Sequence, residues 1–343
     1  MRNILVTGGL GFIGSNFIQY IFEKYPDICI YNLDAMTYAA NPGNLKNIEN
    51  SSRYIFINGD ICNEELVRYI LKTFQIQGVV HFAAESHVDN SIKTPKIFIG
   101  TNVLGTGALL SACYGVWMRA PFESNAEYVA ARFHHISTDE VFGSLGVEGF
   151  FDETTPYAPN SPYAASKAAS DMLVRSYNKT FGLNTVITNC SNNYGPMQHD
   201  EKLIPTIIRN ALKNKPIPIY GDGKNIRDWL YVVDHCSAID FVFHGGKSGS
   251  SYVIGGREEG DNNMLVEKVC DILDVIKPRQ EGTYKQFISY VPDRPGHDRR
   301  YAINPQKMYA ELKWGSEETL SSGLEKTVRW YVDKYHAPSK TGC

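Results

Sequence analysis

A short apolar run, Ile4-Leu5-Val6, passes at once into Gly8-Gly9-Leu10-Gly11-Phe12-Ile13-Gly14, and nothing else in the 343-residue chain restricts its fold as tightly. The spacing is G-x-x-G-x-x-G, a variant of the dinucleotide fingerprint placed where a strand hands over to a helix. Gly8, Gly11 and Gly14 suit a tight turn whose backbone must approach a pyrophosphate. The helix N-terminus then meets that anion with free N–H groups and a positive dipole end. A glycine-rich turn without a ligand is the plain alternative in a chain holding 29 glycines, and the position of the triplet argues against it. Asp34 closes the second apolar run. An acid there accepts from adenosine ribose hydroxyls and repels a 2′-phosphate, so NAD is expected rather than NADP. Asp60 and Ile61, after the third run, are expected beside the adenine, unless Asp60 merely caps the next helix.

Short runs rich in β-branched and aromatic residues at 4–6, 28–33, 54–57, 79–82, 133–136 and 185–187 read as buried strands. Segments 14–25, 63–74, 102–116 and 163–181 between them read as helices. The alternation predicts an α/β fold, a doubly wound parallel sheet of Rossmann type. From about Cys190 the pattern loosens into short segments punctuated by glycine and proline, which predicts a smaller mixed α/β substrate-binding domain. The expected division is residues 1–189, with a returning segment near 224–245, for the dinucleotide domain. Residues 190–223 and 246–335 form the second domain and 336–343 a tail. Residues 118–132 and 244–262 read as loops or insertions.

A formal net charge of −3 gives no global reason to bind a nucleic acid. Seven scattered cysteines without CxxC or zinc spacing predict neither a disulfide framework nor a metal site, and fit a reducing, cytoplasmic setting. No signal peptide is expected, and no apolar stretch is expected to reach the roughly 20 residues that cross a bilayer.

Tyr163 and Lys167 stand one helical turn apart and share a face. A cation beside a phenol stabilises phenolate and is expected to pull its pKa down. Such a tyrosinate takes a proton from a sugar hydroxyl while hydride leaves the same carbon. Tyr20/Lys24, Tyr220/Lys224 and Tyr309/Lys313 share the spacing, but only Tyr163 opens a helix downstream of a strand ending in Ser137-Thr138. The carboxyl ends of such strands are where ligands bind. Asp139 and Glu140 follow directly. Adjacent carboxylates repel, so one is expected to stay protonated, and an acid beside a base suits elimination of water. Two acids favouring a helix N-terminus is the bland alternative.

Together these features resemble the extended short-chain dehydrogenase/reductase family, and within it the dTDP-glucose 4,6-dehydratases. The likeness spans nearly the whole chain. It includes Asp34-Ala35-Met36-Thr37-Tyr38-Ala39, His81-Phe82-Ala83-Ala84-Glu85-Ser86-His87-Val88-Asp89, Ser137-Thr138-Asp139-Glu140-Val141-Phe142-Gly143 and Ser161-Pro162-Tyr163-Ala164-Ala165-Ser166-Lys167. It continues through Cys190-Ser191-Asn192-Asn193-Tyr194-Gly195-Pro196, the segment from Ile219 to Trp229, and Asp293-Arg294-Pro295-Gly296-His297. The Thr-Asp-Glu triplet separates dehydratases from sugar-nucleotide epimerases.

The resemblance implies a three-step cycle with tightly held NAD. Tyr163, helped by Lys167 and Thr138, deprotonates the glucose C4 hydroxyl as hydride leaves C4; Glu140 removes the C5 proton; Asp139 protonates the departing C6 hydroxyl, and hydride returns to C6. It also implies that Phe12, Ile13, Ala35, Met36, Thr37, Phe82, Ala83, Ala84, Ser86, Thr101 and Asn193 join the cofactor site. Ser86, Thr138, Asn192, Lys202, Leu203, Pro218, Tyr220, Arg227, Asn262, Asp293, Arg294 and His297 are the implied sugar-nucleotide site. Arg227 and Arg294 suit diphosphate oxygens, which a guanidinium fork meets well. Phe142 replaces a usual tyrosine, and Met197-Gln198-His199-Asp200 replaces a more apolar run, which bears on the choice between dTDP-glucose and UDP-glucose. The family pattern implies a homodimer through helices 102–116 and 163–181.

Overall fold

The structure, a computed structural model, describes residues 1–293 and 295–336. Seven strands form its main sheet: β1 (Asn3–Thr7), β2 (Cys29–Asp34), β3 (Tyr54–Asn58), β4 (Gly78–His81), β5 (Arg132–Thr138), β6 (Thr185–Cys190) and β7 (Ser251–Ile254). They lie in the order β7-β6-β5-β4-β1-β2-β3, with every neighbouring pair parallel. Central strands read as unbroken apolar runs because both faces are covered. Ile4 and Val6 of β1 face a cluster with Phe17, Ile18 and Phe243, while Leu5 faces one with Leu109, Leu110 and Phe133. The edge strand β3 instead leaves Phe56 exposed.

Helices α1 (Phe12–Lys24), α2 (Glu64–Thr73), α3 (Thr106–Trp117) and α4 (Pro162–Phe181) make the connections. The chain runs outward from β1 to β3 and then returns to the other side of β1 with β4, so the order reverses between β1 and β4. A doubly wound sheet opens its ligand crevice at that reversal, beyond the carboxyl ends of the strands. The start of α4 is set locally. Ser161 Oγ accepts from the Ala164 N–H at 3.1 Å, and Pro162 occupies the first turn, where its missing N–H costs nothing. This puts Tyr163 in the first turn of α4, facing the crevice.

A second core gathers α5 (Leu203–Leu212), α7 (Asn262–Ile276) and α8 (Leu320–His336), while α6 (Val232–Gly245) returns to pack on α1. Ile207, Trp229, Leu265, Val269 and Tyr331 are central to the second core. A three-stranded sheet, Glu259–Asp261 beside Ile226–Tyr231 beside Asn192–Tyr194, links it to the main sheet.

Three sequence expectations need correction or limits. Residues 244–262, read as a loop within the second domain's span, contain β7, the seventh strand of the main sheet, and the edge strand Glu259–Asp261. Four residues between Gly/Ser clusters carry little periodicity, and only pairing with β6 reveals the strand. Pro95–Trp117 forms 23 residues of continuous helix, apolar and long enough by composition to cross a bilayer, where no such stretch was expected. Its π-helical turn at Ile99–Gly105 joins segments that read separately, and its later half buries Leu109, Leu110, Cys113 and Trp117 in the core. Arg294 and residues 337–343 of the expected tail lie outside the described residues.

Candidate active site

The crevice is a cleft of about 370 Å³ at the carboxyl ends of β1, β2, β4, β5 and β6. Gly8 adopts φ +71°, and a Cβ there would lie 2.6 Å from the Ala83 nitrogen, so only glycine lets the first loop pass under β4. A side chain at Gly14 would strike the Gly8 carbonyl. No side chain caps α1 at Gly11 and its first turn carries no acid, which leaves its leading N–H groups for an anion. This glycine cradle fits the pyrophosphate of a dinucleotide. Asp34 Oδ2 accepts from the Leu10 N–H at 2.9 Å and Oδ1 from the Met36 N–H at 2.8 Å. The same carboxylate thus braces the glycine loop and lines the cleft. Asp60 also lines it; the following helix is capped by Asn63, which excludes the capping alternative for Asp60.

Of the residues named for the cofactor, the cleft gathers Gly8, Gly11, Phe12, Ile13, Gly14, Asp34, Ala35, Thr37, Asp60, Ile61, Phe82, Ala83, Ala84, Ser86, Thr101, Asn193, Tyr163 and Lys167. Met36 is the exception: its backbone holds Asp34 while its side chain is exposed. The π-helical turn carries Thr101 to the wall, a placement that no helical periodicity shows.

Thr138, Asp139 and Glu140 face Tyr163 and Lys167 across the same cleft. Asp139 and Glu140 occupy the first turn of a short 3₁₀ helix, Asp139–Phe142, so the helix-start geometry and the site coincide. Asp139 is 2% exposed, and its Oδ2 has no hydrogen-bond partner. Burial first, then the like charge of Glu140, hold its carboxyl well above the ordinary carboxylate range, which favours its protonated form. Thr138 Oγ1 donates to Asp139 Oδ1 at 3.3 Å and accepts from the Glu140 N–H at 3.3 Å. The expected pull of Lys167 on the Tyr163 phenol is overturned for the protein by itself. Burial and then Glu140 push Tyr163 well above its usual value. Lys167 sends its Nζ to the Ile136 carbonyl at 2.7 Å, and burial lowers it to about 8. The rival pair Tyr20/Lys24 makes the direct contact, at 2.9 Å, on the first helix away from the cleft.

The residues named for the sugar nucleotide divide. Asn192, Lys202 and Ser86 line the cleft, joined by Cys190, Gln198, His199 and Glu201, which lie in or beside the family-like segments without having been named as site residues. Tyr220, Asp293 and His297 form a separate group: Tyr220 OH is 3.5 Å from Asp89 Oδ2, and His297 Nδ1 is 2.6 Å from Asp293 Oδ1. Pro218 lies on the strand with Tyr220, and Leu203 and Asn262 each begin a helix. Arg227 is buried, and its two Nη atoms donate to the Ile226 and Asp298 carbonyls at 2.8 and 3.0 Å, with the guanidinium 4.3 Å over the Tyr301 ring. Two of its five N–H groups are thus engaged, and it is not among the residues that line the cleft. The unusual 197–200 segment is anchored structurally. Met197 adopts φ +69° with its sulfur 3.4 Å from Ser15 Oγ, and Asp200 pairs with Lys334 at 2.9 Å. Phe142 packs on Phe151 and Tyr157 in the core, so the missing hydroxyl removes nothing from the cleft.

The family model for GDP-mannose 4,6-dehydratase matches residues 5–327. A dTDP-glucose 4,6-dehydratase of Xanthomonas campestris pv. campestris is 50% identical over 333 residues, 97% of this chain and 93% of that relative. The solved dTDP-glucose 4,6-dehydratase of Bacillus anthracis, in complex with NAD, matches with TM-score 0.85 and 45% identity, covering 98% of each chain. That of Streptomyces venezuelae, with NAD and TYD bound, matches with TM-score 0.87 and 41% identity over 97% of each. The chain therefore belongs to the extended short-chain dehydrogenase/reductase family, and within it to the dTDP-glucose 4,6-dehydratases.

Proposed function

We propose that the chain converts dTDP-glucose to dTDP-4-keto-6-deoxyglucose and water, with Tyr163, Lys167, Thr138, Asp139 and Glu140 as its chemical groups. The observation that carries this reading is a buried Asp139, one carboxyl oxygen without a hydrogen-bond partner, beside Glu140 in the cleft that Tyr163 also lines. An epimerase has no use for an acid and a base side by side. NAD, when bound, supplies a hydride acceptor for C4 that later serves as the hydride donor to C6.

Tyr163 accepts the C4 hydroxyl proton in its phenolate form, which the Lys167 ammonium and the positive nicotinamide of bound NAD would together favour against the burial that raises the phenol in the protein by itself. The ketone formed at C4 acidifies C5–H enough for Glu140 to remove that proton. Asp139 gives its proton to the C6 hydroxyl, which leaves as water. Glu140 returns its proton to C5 as C6 is reduced. The proton then held by Tyr163 is the one Asp139 lacks, and Thr138, hydrogen-bonded to both side chains, offers the path between them.

The glycine cradle and Asp34 support NAD as the resident dinucleotide, and Asn192 and Lys202 support a diphosphate-linked sugar in the same cleft. A homodimer through the helices Pro95–Trp117 and Pro162–Phe181 is supported by exposed Ile97, Ile99, Leu104 and Met172 on them. Free cysteines among the described residues support a reducing, cytoplasmic setting. Incubation with dTDP-glucose and with UDP-glucose, followed by mass spectrometry for loss of one water, tests the reading. Dehydration of dTDP-glucose with UDP-glucose left intact is expected; faster turnover of UDP-glucose would reassign the nucleotide, and no dehydration of either by NAD-loaded protein would end the proposal.

A further inference from the structure

Behind Lys167, away from the cleft, lies a polar cluster that the reaction above does not use. Asp171 follows Lys167 by one turn of α4 and is wholly buried. Its Oδ2 accepts from Ser137 Oγ at 2.9 Å, Tyr157 OH at 2.8 Å and Asn189 Nδ2 at 3.0 Å. Its Oδ1 lies 3.2 Å from His135 Nε2, and His135 is also wholly buried. His135 stacks near His81, with ring centroids 5.2 Å apart, and His81 is held between Thr7 and Thr106 at 2.7 and 3.0 Å. Two strands, β5 and β6, and the loop that carries Tyr157 thus converge on one carboxylate of α4.

Three donors on one oxygen favour the ionised form, because a protonated carboxyl accepts less strongly. An ionised carboxylate in a sheet interior needs a cation. His135 does not supply one, since burial lowers its imidazole to about 4. The groups facing Lys167 are Asp171 on its own helix, His135 and the Ile136 carbonyl on β5, His81 on β4 and the Cys190 thiol on β6. Burial holds both imidazoles and the thiol uncharged near neutral pH, with Cys190 pushed up to about 12. Asp171 is the charged partner of Lys167 on that side. Arg175 lies at the edge of the cluster, on the side of Tyr157 and Asn189.

We propose that Asp171 is a positioning residue for the dehydratase reaction: its buried carboxylate, locked by Ser137, Tyr157, Asn189 and His135 one helical turn from Lys167, is the counter-charge that keeps the Lys167 ammonium a cation beside Tyr163. The inference rests on the roles given above to Tyr163 and Lys167. Without Asp171, Lys167 faces only burial and neutral rings, and loses its proton at lower pH. The cluster also explains why a lysine so enclosed remains a cation where the tyrosine needs one.

The test is the pH profile of kcat for dTDP-glucose in Asp171→Asn, with bound NAD. The parent protein is expected to lose kcat as pH rises through about 8, where Lys167 deprotonates. In Asp171→Asn that limb moves down by about one pH unit or more, with kcat falling roughly tenfold just above neutrality, recovering toward pH 6, and KM changing less than about twofold. In a Lys167→Arg background, where the charge cannot be lost, Asp171→Asn shifts nothing with pH. A uniform loss of kcat at every pH, with the limb unmoved, would overturn the proposal and leave Asp171 a packing residue. Tyr157→Phe, which removes one donor from the edge of the cluster, carries the same test if Asp171→Asn does not fold, with a smaller shift in the same direction expected and an unmoved limb overturning it. Failure of the underlying site reading shows separately, as normal dehydration by Tyr163→Phe.

Discussion

Two regions of the molecule each bury an aspartate beside the same strand end, and they treat the charge in opposite ways. At the cleft wall, Asp139 has an oxygen with no partner and a like-charged neighbour in Glu140, and its carboxyl stays protonated. Behind Lys167, Asp171 meets three donors, His135 and an ammonium. Burial alone would raise it, but these partners hold it below the ordinary carboxylate value. Burial therefore does not decide protonation; the count of donors and charges around the carboxyl does. In the proposed reaction the first region supplies a proton, and the second supplies the counter-charge for Lys167.

The largest effect expected from breaking this pair is on catalysis. Asp139→Asn removes the stored proton, and water loss should slow by about 10²–10⁴-fold, the usual worth of a positioned acid, while bound NAD⁺ is still reduced. Rapid-mixing absorbance of the reduced nicotinamide and mass spectrometry of product separate the two steps; equal loss of both would refute the assignment. Next in size is stability. Asp171→Ala leaves Lys167 without its counter-charge and three donors unpaired and should cost about 3–5 kcal/mol in urea unfolding, whereas Asp139→Asn replaces a carboxyl with no partner on one oxygen by a neutral amide and should cost less than about 1 kcal/mol.

Acid dependence sharpens the contrast. Asp171 has a depressed carboxyl in the folded protein, so its stabilisation is present above its unfolded value of 3.8 and fades as pH falls through its lower folded value. Asp139 has a raised one, so its contribution is full below 3.8 and is lost as pH rises through the folded value. The deficit of Asp171→Asn against the parent should shrink toward pH 3, while the relative stability of Asp139→Asn should improve as pH rises; slopes of the same sign would erase the distinction. The smallest effect lies at the start of α4. Ser161→Ala removes the cap that sets Tyr163 in its turn and should cost about 1 kcal/mol by thermal unfolding.

The two regions also differ in how far they could be read from residues alone. Gly8 to Gly14, Asp34, Thr138 to Glu140 and Tyr163 with Lys167 were legible because each lies in one short motif at a strand end, where local turn chemistry and strand-helix alternation dictate the geometry. The depressed phenol expected at Tyr163 was not borne out, because spacing reports that two side chains share a face and says nothing of the burial around them. Asp171 looked like any polar residue in a helix; its partners Ser137, Tyr157, Asn189 and His135 come from separate elements.

By itself, the sequence determined the doubly wound sheet, the glycine cradle and the placing of Thr138 to Glu140, Tyr163 and Lys167 at one cleft, since strand burial, glycine and helix starts act over a few neighbouring residues. Only the tertiary structure decided that β7 completes the sheet, that Arg227 gives two of its N–H groups to carbonyls, and in which direction burial and partners move each of the two buried aspartates. Those outcomes depend on desolvation and on partners tens of residues distant, which no local pattern records.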